Sequence, residues 1–166
     1  MSLVSTIVLL IVVAAAAYTD VRHGKIYNAL TIPAMIAGLA ISAAGGLKGL
    51  EQNLLGLGAG LALGGILMAA ARLGGGDAKL MMAIGALKGV NFLIWSFLLG
   101  AVAGGLIAAV MLARRRVLAR ALLTTGHAAI QTAVFHTAVP IDAQTEARMP
   151  YSTAIAAGCI IALLML

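Results

Sequence analysis

The sequence predicts an all-α fold, a polytopic membrane protein with six transmembrane helices and both the N-terminus and the C-terminus outside. Three observations carry that expectation. Of the 166 residues, 63% are hydrophobic and 10% charged, and the mean hydropathy is +1.10. A soluble domain of this length has too little interior to hide so much apolar surface, so lipid must cover much of it. The apolar residues gather in six runs, at 3–18, 29–44, 54–71, 78–90, 92–113 and 151–166. The 11 Lys and Arg residues fall mostly in the gaps, and alternating sides from an outside N-terminus leaves only Lys48 and Lys88 outside. That imbalance follows the positive-inside rule. It also explains the formal net charge of +6 as topology and removes nucleic acid as a partner. The length suits one domain over 1–166.

The first run follows Met1-Ser2, which carries no charge, and is itself followed by Arg22 and Lys25. A cleaved secretory signal has the opposite order, so a retained helix with its N-terminus outside is expected. The third run follows Asn53, a suitable N-cap. Within it Gly56, Gly60 and Gly64 recur every four residues, and Gly85/Gly89 and Gly100/Gly104 repeat the spacing. Small residues so placed let helix backbones approach closely. Packing inside one chain is the first use of such glycines, and a homodimer interface is the alternative. The fourth run is short, about 13 residues or ~20 Å against a hydrocarbon core of ~30 Å. Without it, Arg114, Arg115 and Arg116 would face outside. Local thinning of the bilayer, with Lys88 snorkelling to the far interface, accommodates it.

The segment 114–149 reads as a basic cytoplasmic loop or an interfacial helix lying on the anionic inner leaflet. His127 and His136 have no neighbouring ligand pair, and Asp142 and Glu146 form an ordinary solvated pair, so no metal is expected. No cofactor is expected either, because Gly74-Gly75-Gly76 lacks the Lys-Ser/Thr of a phosphate loop. Cys159 is the only cysteine, which rules out an intramolecular disulfide.

Function is carried by two of the five acidic residues. Asp20 follows the first apolar run and Asp77 precedes the fourth, both on the expected cytoplasmic side. An ionisable residue at a membrane border is costly and is a functional candidate for that reason. Asp77 has a plain alternative as the N-cap of the fourth helix. Asp20 has none of that kind, because a carboxylate at a helix C-terminus faces the negative end of the dipole.

The local sequence around both acids resembles one family. Gly74-Gly75-Gly76-Asp77 matches the GxGD pattern of intramembrane aspartyl proteases. Its continuation, Ala78-Lys79-Leu80 on to Gly85, resembles the GD-x-K-L-x-x-x-x-G run of bacterial prepilin peptidases. Asp20-Val21-Arg22-His23-Gly24-Lys25-Ile26-Tyr27-Asn28 is similar to that family's other aspartate motif, with Tyr27 standing where the family has proline. Pro150 to Gly158 resembles its last-helix pattern, P-x-x-x-A-x-x-x-G. The resemblance extends over nearly the whole chain except 113–149.

The resemblance implies an aspartic endopeptidase of the bacterial plasma (inner) membrane, acting on prepilins and pseudopilins. Its catalytic residues are Asp20 and Asp77, with Gly74, Gly76, Lys79 and Asn28 binding substrate or shaping the site. The single cysteine and the direct start on a span resemble the short, peptidase-only form associated with Flp/Tad-type pili. Two carboxylates sharing a site cannot both ionise cheaply, so the pair holds one proton and can activate water. Such a mechanism requires helices one and four to be neighbours, with both acids on one cavity. The alternative is a small proton- or cation-coupled transporter using Asp20 and Asp77, which instead requires acids along a path open to both sides.

Overall fold

The structure, a computed structural model, describes residues 2–71, 74–114 and 151–165. The chain divides into two compact units, Met1–Gly104 with Pro150–Leu166, and Gly105–Met149. Apart from residue 114, the expectations for 114–149, including His127, His136, Asp142 and Glu146, lie outside the described residues.

Every described element is a helix: α1 (Leu3–His23), α2 (Asn28–Ala44), α3 (Leu47–Ala71), α4 (Gly75–Arg114) and α5 (Tyr151–Met165). Three of them, α1, α3 and α4, are long and apolar enough to cross a membrane, and α2 and α5 are shorter apolar helices. The six apolar runs all lie on helices, but the fourth and fifth share α4. A single non-helical residue breaks the helix near the end of the fourth run, Gly89 at φ 81° and ψ −179°. Only glycine adopts that backbone readily, so the sequence marks the break.

The first arm of α4, up to Lys88, is the centre of the first unit. Leu80, Met81, Ala83, Ile84, Ala86 and Leu87 are all at most 2% exposed, while Lys79 and Met82 are half-buried, so most of the arm is apolar and covered. Its small residues Ala78, Gly85 and Ala86 let the neighbours in. A Cβ on Gly60 of α3 would lie 2.7 Å from the Met81 carbonyl oxygen, and one on Gly64 would lie 2.7 Å from Ala78 Cα. Gly56 meets Gly85 backbone to backbone, and Gly38 brings α2 against Ala86. In α3 the residues that are buried are these glycines, 56, 60 and 64, while Leu54, Leu55, Leu61 and Ile66 point outward. The Gly56/60/64 stripe and Gly85 are therefore occupied within the chain, as are Gly100 and Gly104, which pack on Ala154 of α5. These are the residues a homodimer interface would have used. Gly89, the residue of the helix break, also packs on this stripe, since a Cβ on Gly56 would lie 2.8 Å from the Gly89 carbonyl carbon.

One sequence expectation is corrected here. Asn53 does not cap α3, which begins at Leu47; its carboxamide instead faces the break, where a Cβ on Gly89 would lie 3.4 Å from Asn53 Oδ1. Lys88 donates to Thr6 Oγ1 at the start of α1 at 2.6 Å and stands 5.8 Å from the centroid of the Phe92 ring.

The Thr6–Lys88 bond also fixes the direction of α1 against α4. It joins the start of α1 to the end of the first arm, so the two run antiparallel. Asp20, near the end of α1, is thereby brought to the level of Asp77, near the start of α4. At 1.5 Å per residue, the rises from Thr6 to Asp20 and from Asp77 to Lys88 are ~21 and ~17 Å.

Candidate active site

Asp20 sits inside the last turn of α1, which runs on to His23 rather than ending at the apolar boundary. Gly24 stops the helix in the left-handed conformation (φ 63°, ψ 26°), its N–H donating to the Asp20 carbonyl oxygen at 2.7 Å. Such a C-terminal cap favours glycine strongly. The chain then runs to Tyr27, the N-cap of α2, at φ −81° and ψ 139°. That is close to the backbone a proline imposes. The tyrosine at this position therefore preserves the turn, and its ring packs edge-on to His23 at 6.1 Å.

Asp77 enters from the other side. It lies in the first turn of α4, after Gly75 and Gly76, so it is not the N-cap; its N–H donates to the Gly74 carbonyl oxygen at 3.0 Å. A carboxylate there is favoured by the positive end of the helix. Asp77 is 9% exposed, and its Oδ1 has no hydrogen-bond partner among the described residues. A buried carboxyl oxygen without a donor is costly and calls for a functional reason.

Asp20 and Asp77 line one cavity of about 360 Å³. Its remaining wall is the turn from Gly24 to Asn28 on one side and Gly74 to Gly76 on the other. Five of the six residues singled out in the sequence line it: Asp20, Asp77, Gly74, Gly76 and Asn28. The sixth, Lys79, stands next to it and donates from Nζ to Asn28 Oδ1 at 2.8 Å. That bond ties α4 to the start of α2.

Among the described residues positive φ is recorded at Gly24, Gly46 and Gly89. Gly76 is required for close approach, since a Cβ there would lie 2.9 Å from Ile26 Cβ and 3.4 Å from the Ile26 backbone N and O. Gly74 has more room; a Cβ on it would lie 3.6 Å from Asp77 Oδ2.

The sequence pattern of the type IV leader peptidase family matches residues 7–109, a stretch that contains both aspartates and the glycine segment. The chain belongs to the type IV leader peptidase family. No significant match was found among curated proteins or among solved structures. Membership makes the protein a leader peptidase, with prepilins as the general class of substrate. Its long apolar helices agree with a protease that works at a membrane.

One residue of this leader peptidase escaped the sequence reading. Ser152, at the start of α5 and outside the matched stretch, donates from Oγ to Asp20 Oδ2 at 2.6 Å and is fully buried. A serine opening an apolar helix carries no chemical signal of its own. Its place was legible, however: it begins the last run on the same expected side as Asp20 and Asp77.

Proposed function

We propose that the protein is an intramembrane aspartyl endopeptidase that cuts the short leader of prepilins and pseudopilins at the cytoplasmic border of the bacterial plasma membrane. The observation that carries this reading is the convergence of Asp20 and Asp77 on one cavity from two different helices. One carboxylate takes a proton from water as the water oxygen attacks the scissile carbonyl carbon. The other gives its proton to the carbonyl oxygen; collapse of the tetrahedral adduct then breaks the C–N bond, and the amine leaves protonated. The pair ends with one proton, as it began.

The six-span topology belongs to this proposal, with both termini outside and the cavity facing the cytoplasm. Its support is the distribution of cations, which leaves Arg22, Lys25 and Lys79 on the side of the acids. Transport through the same residues needs acids along a path open at both ends. Here they share a cavity at one end of α1 and α4, which favours hydrolysis.

Replacement of either acid tests the mechanism. Asp20→Asn and Asp77→Asn each lose leader cleavage while inserting and folding normally, and the double variant is no worse than either single, because members of one catalytic unit are not additive. Normal leader removal by either single variant would falsify the aspartyl mechanism.

A further inference from the structure

We propose that Ser152 is a positioning residue of the peptidase, fixing the carboxylate of Asp20 for its part in catalysis. The proposal rests on the aspartyl mechanism above and adds a third polar group to it, from a helix that the family match does not reach.

Two other buried hydroxyls donate to carbonyls of their own helices. Ser96 donates to the Phe92 carbonyl at 2.6 Å, and Ser42 to the Leu39 carbonyl at 2.9 Å. Ser152 is the second residue of α5, so no preceding helical turn offers it such a carbonyl. Its hydroxyl instead crosses 132 positions of sequence to Asp20 Oδ2, in a bond of 2.6 Å. Because Ser152 is fully buried, water does not compete for that hydroxyl.

Asp20 thus has one oxygen anchored by a side-chain hydroxyl, which stops the carboxylate from rotating and leaves its other oxygen for the cavity. The Asp77 carboxyl is served by the backbone of Gly74 instead, and its Oδ1 has no donor among the described residues. A carboxylate that accepts water's proton must hold its oxygen in line with the attack, and a misplacement of ~1 Å costs ~100-fold in rate. Ser152 supplies that restraint to Asp20. It also makes the last helix part of the site, although it contributes no group to the cavity wall.

The test uses the full-length protein in detergent and a synthetic peptide with a basic leader ending in glycine, followed by an apolar segment. Ser152→Ala removes the hydroxyl and adds no volume; its kcat falls ~10–100-fold, the effect of losing a hydrogen bond to a charged group, while KM stays within about twofold. Ser42→Ala, which removes a hydroxyl bonded to the Leu39 carbonyl of its own helix, keeps wild-type kcat. Infrared spectra give a second measurement that does not depend on turnover. Ser152→Ala shifts a carboxylate stretching band relative to wild type, and the shift disappears in an Asp20→Asn background. Unchanged kcat and an unchanged band in Ser152→Ala overturn the proposal, as does a loss confined to KM. If Asp77→Asn is inactive and Ser152→Ala is not impaired, only the role of Ser152 falls. If Asp77→Asn cleaves as well as wild type, the aspartyl mechanism falls and takes this role with it.

Discussion

Gly74 and Gly76 occupy equivalent places in the GxGD pattern, yet their surroundings predict opposite responses to the same substitution. In Gly76→Ala the new methyl would stand 2.9 Å from Ile26 Cβ. Carbon atoms in ordinary contact are ~3.5–4.0 Å apart, so α4 and the turn must separate by roughly 0.6–1 Å. Overpacking of this kind costs ~1–3 kcal/mol. The turn also carries the cavity wall from Gly24 to Asn28, so the displacement reaches the site, and kcat/KM should fall ~30–100-fold. Truncating Ile26 gives no relief, because alanine keeps the Cβ that makes the contact; Gly76→Ala/Ile26→Ala remains as impaired as Gly76→Ala. In Gly74→Ala the methyl meets Asp77 Oδ2 at 3.6 Å, an ordinary contact at an exposed position without positive φ. Its kcat/KM stays within roughly threefold of wild type, as for most exposed substitutions. Single-turnover cleavage of a leader peptide, normalised to folded protein, measures both. Wild-type turnover by Gly76→Ala, or an equal loss in Gly74→Ala, would refute the reasoning.

Stability should follow the same accounting of space. Gly85→Ala and Gly56→Ala each drive a methyl into the facing backbone and should lower the thermal unfolding temperature in detergent sharply, by the equivalent of ~3 kcal/mol or more, whereas Gly58→Ala and Gly65→Ala, with nothing within 4 Å, should be neutral or slightly stabilising. Equal effects at all four positions would remove the packing argument. Topology is open to cysteine labelling, since Cys159 is buried and leaves little background. Cysteines placed at His23 and Gly75 should react only when the reagent reaches the cytoplasm, and one at Lys48 from outside; external labelling at His23 or Gly75 contradicts the six-span arrangement.

The helices and the acids were legible because each leaves a local mark. A run of apolar residues announces a helix wherever it falls, and an aspartate at a membrane border stands out because it is costly there. Helix ends were less legible. The α3 helix starts at Leu47 rather than at 54 because Lys48, Glu51 and Gln52 are good helix formers that lower the hydropathy without breaking the helix. Likewise α1 continues past the apolar run until Gly24 provides the left-handed cap, which moves Asp20 from beyond the helix into its last turn.

What hydropathy cannot distinguish is an apolar helix facing lipid from one facing protein, since both surroundings accept the same side chains. The first arm of α4 and the outward face of α3 are equally apolar, yet one is the centre and the other the rim. Glycines decide between them: the arm meets the Gly56, Gly60 and Gly64 stripe on one side and Gly38 on another, and Lys88 closes its end on Thr6. This central placement gives Asp77 its function in the proposed mechanism. Being carried on an arm that neighbours largely cover, it can be held 9% exposed against the turn after α1, where a carboxylate on a lipid-facing helix would have turned to water.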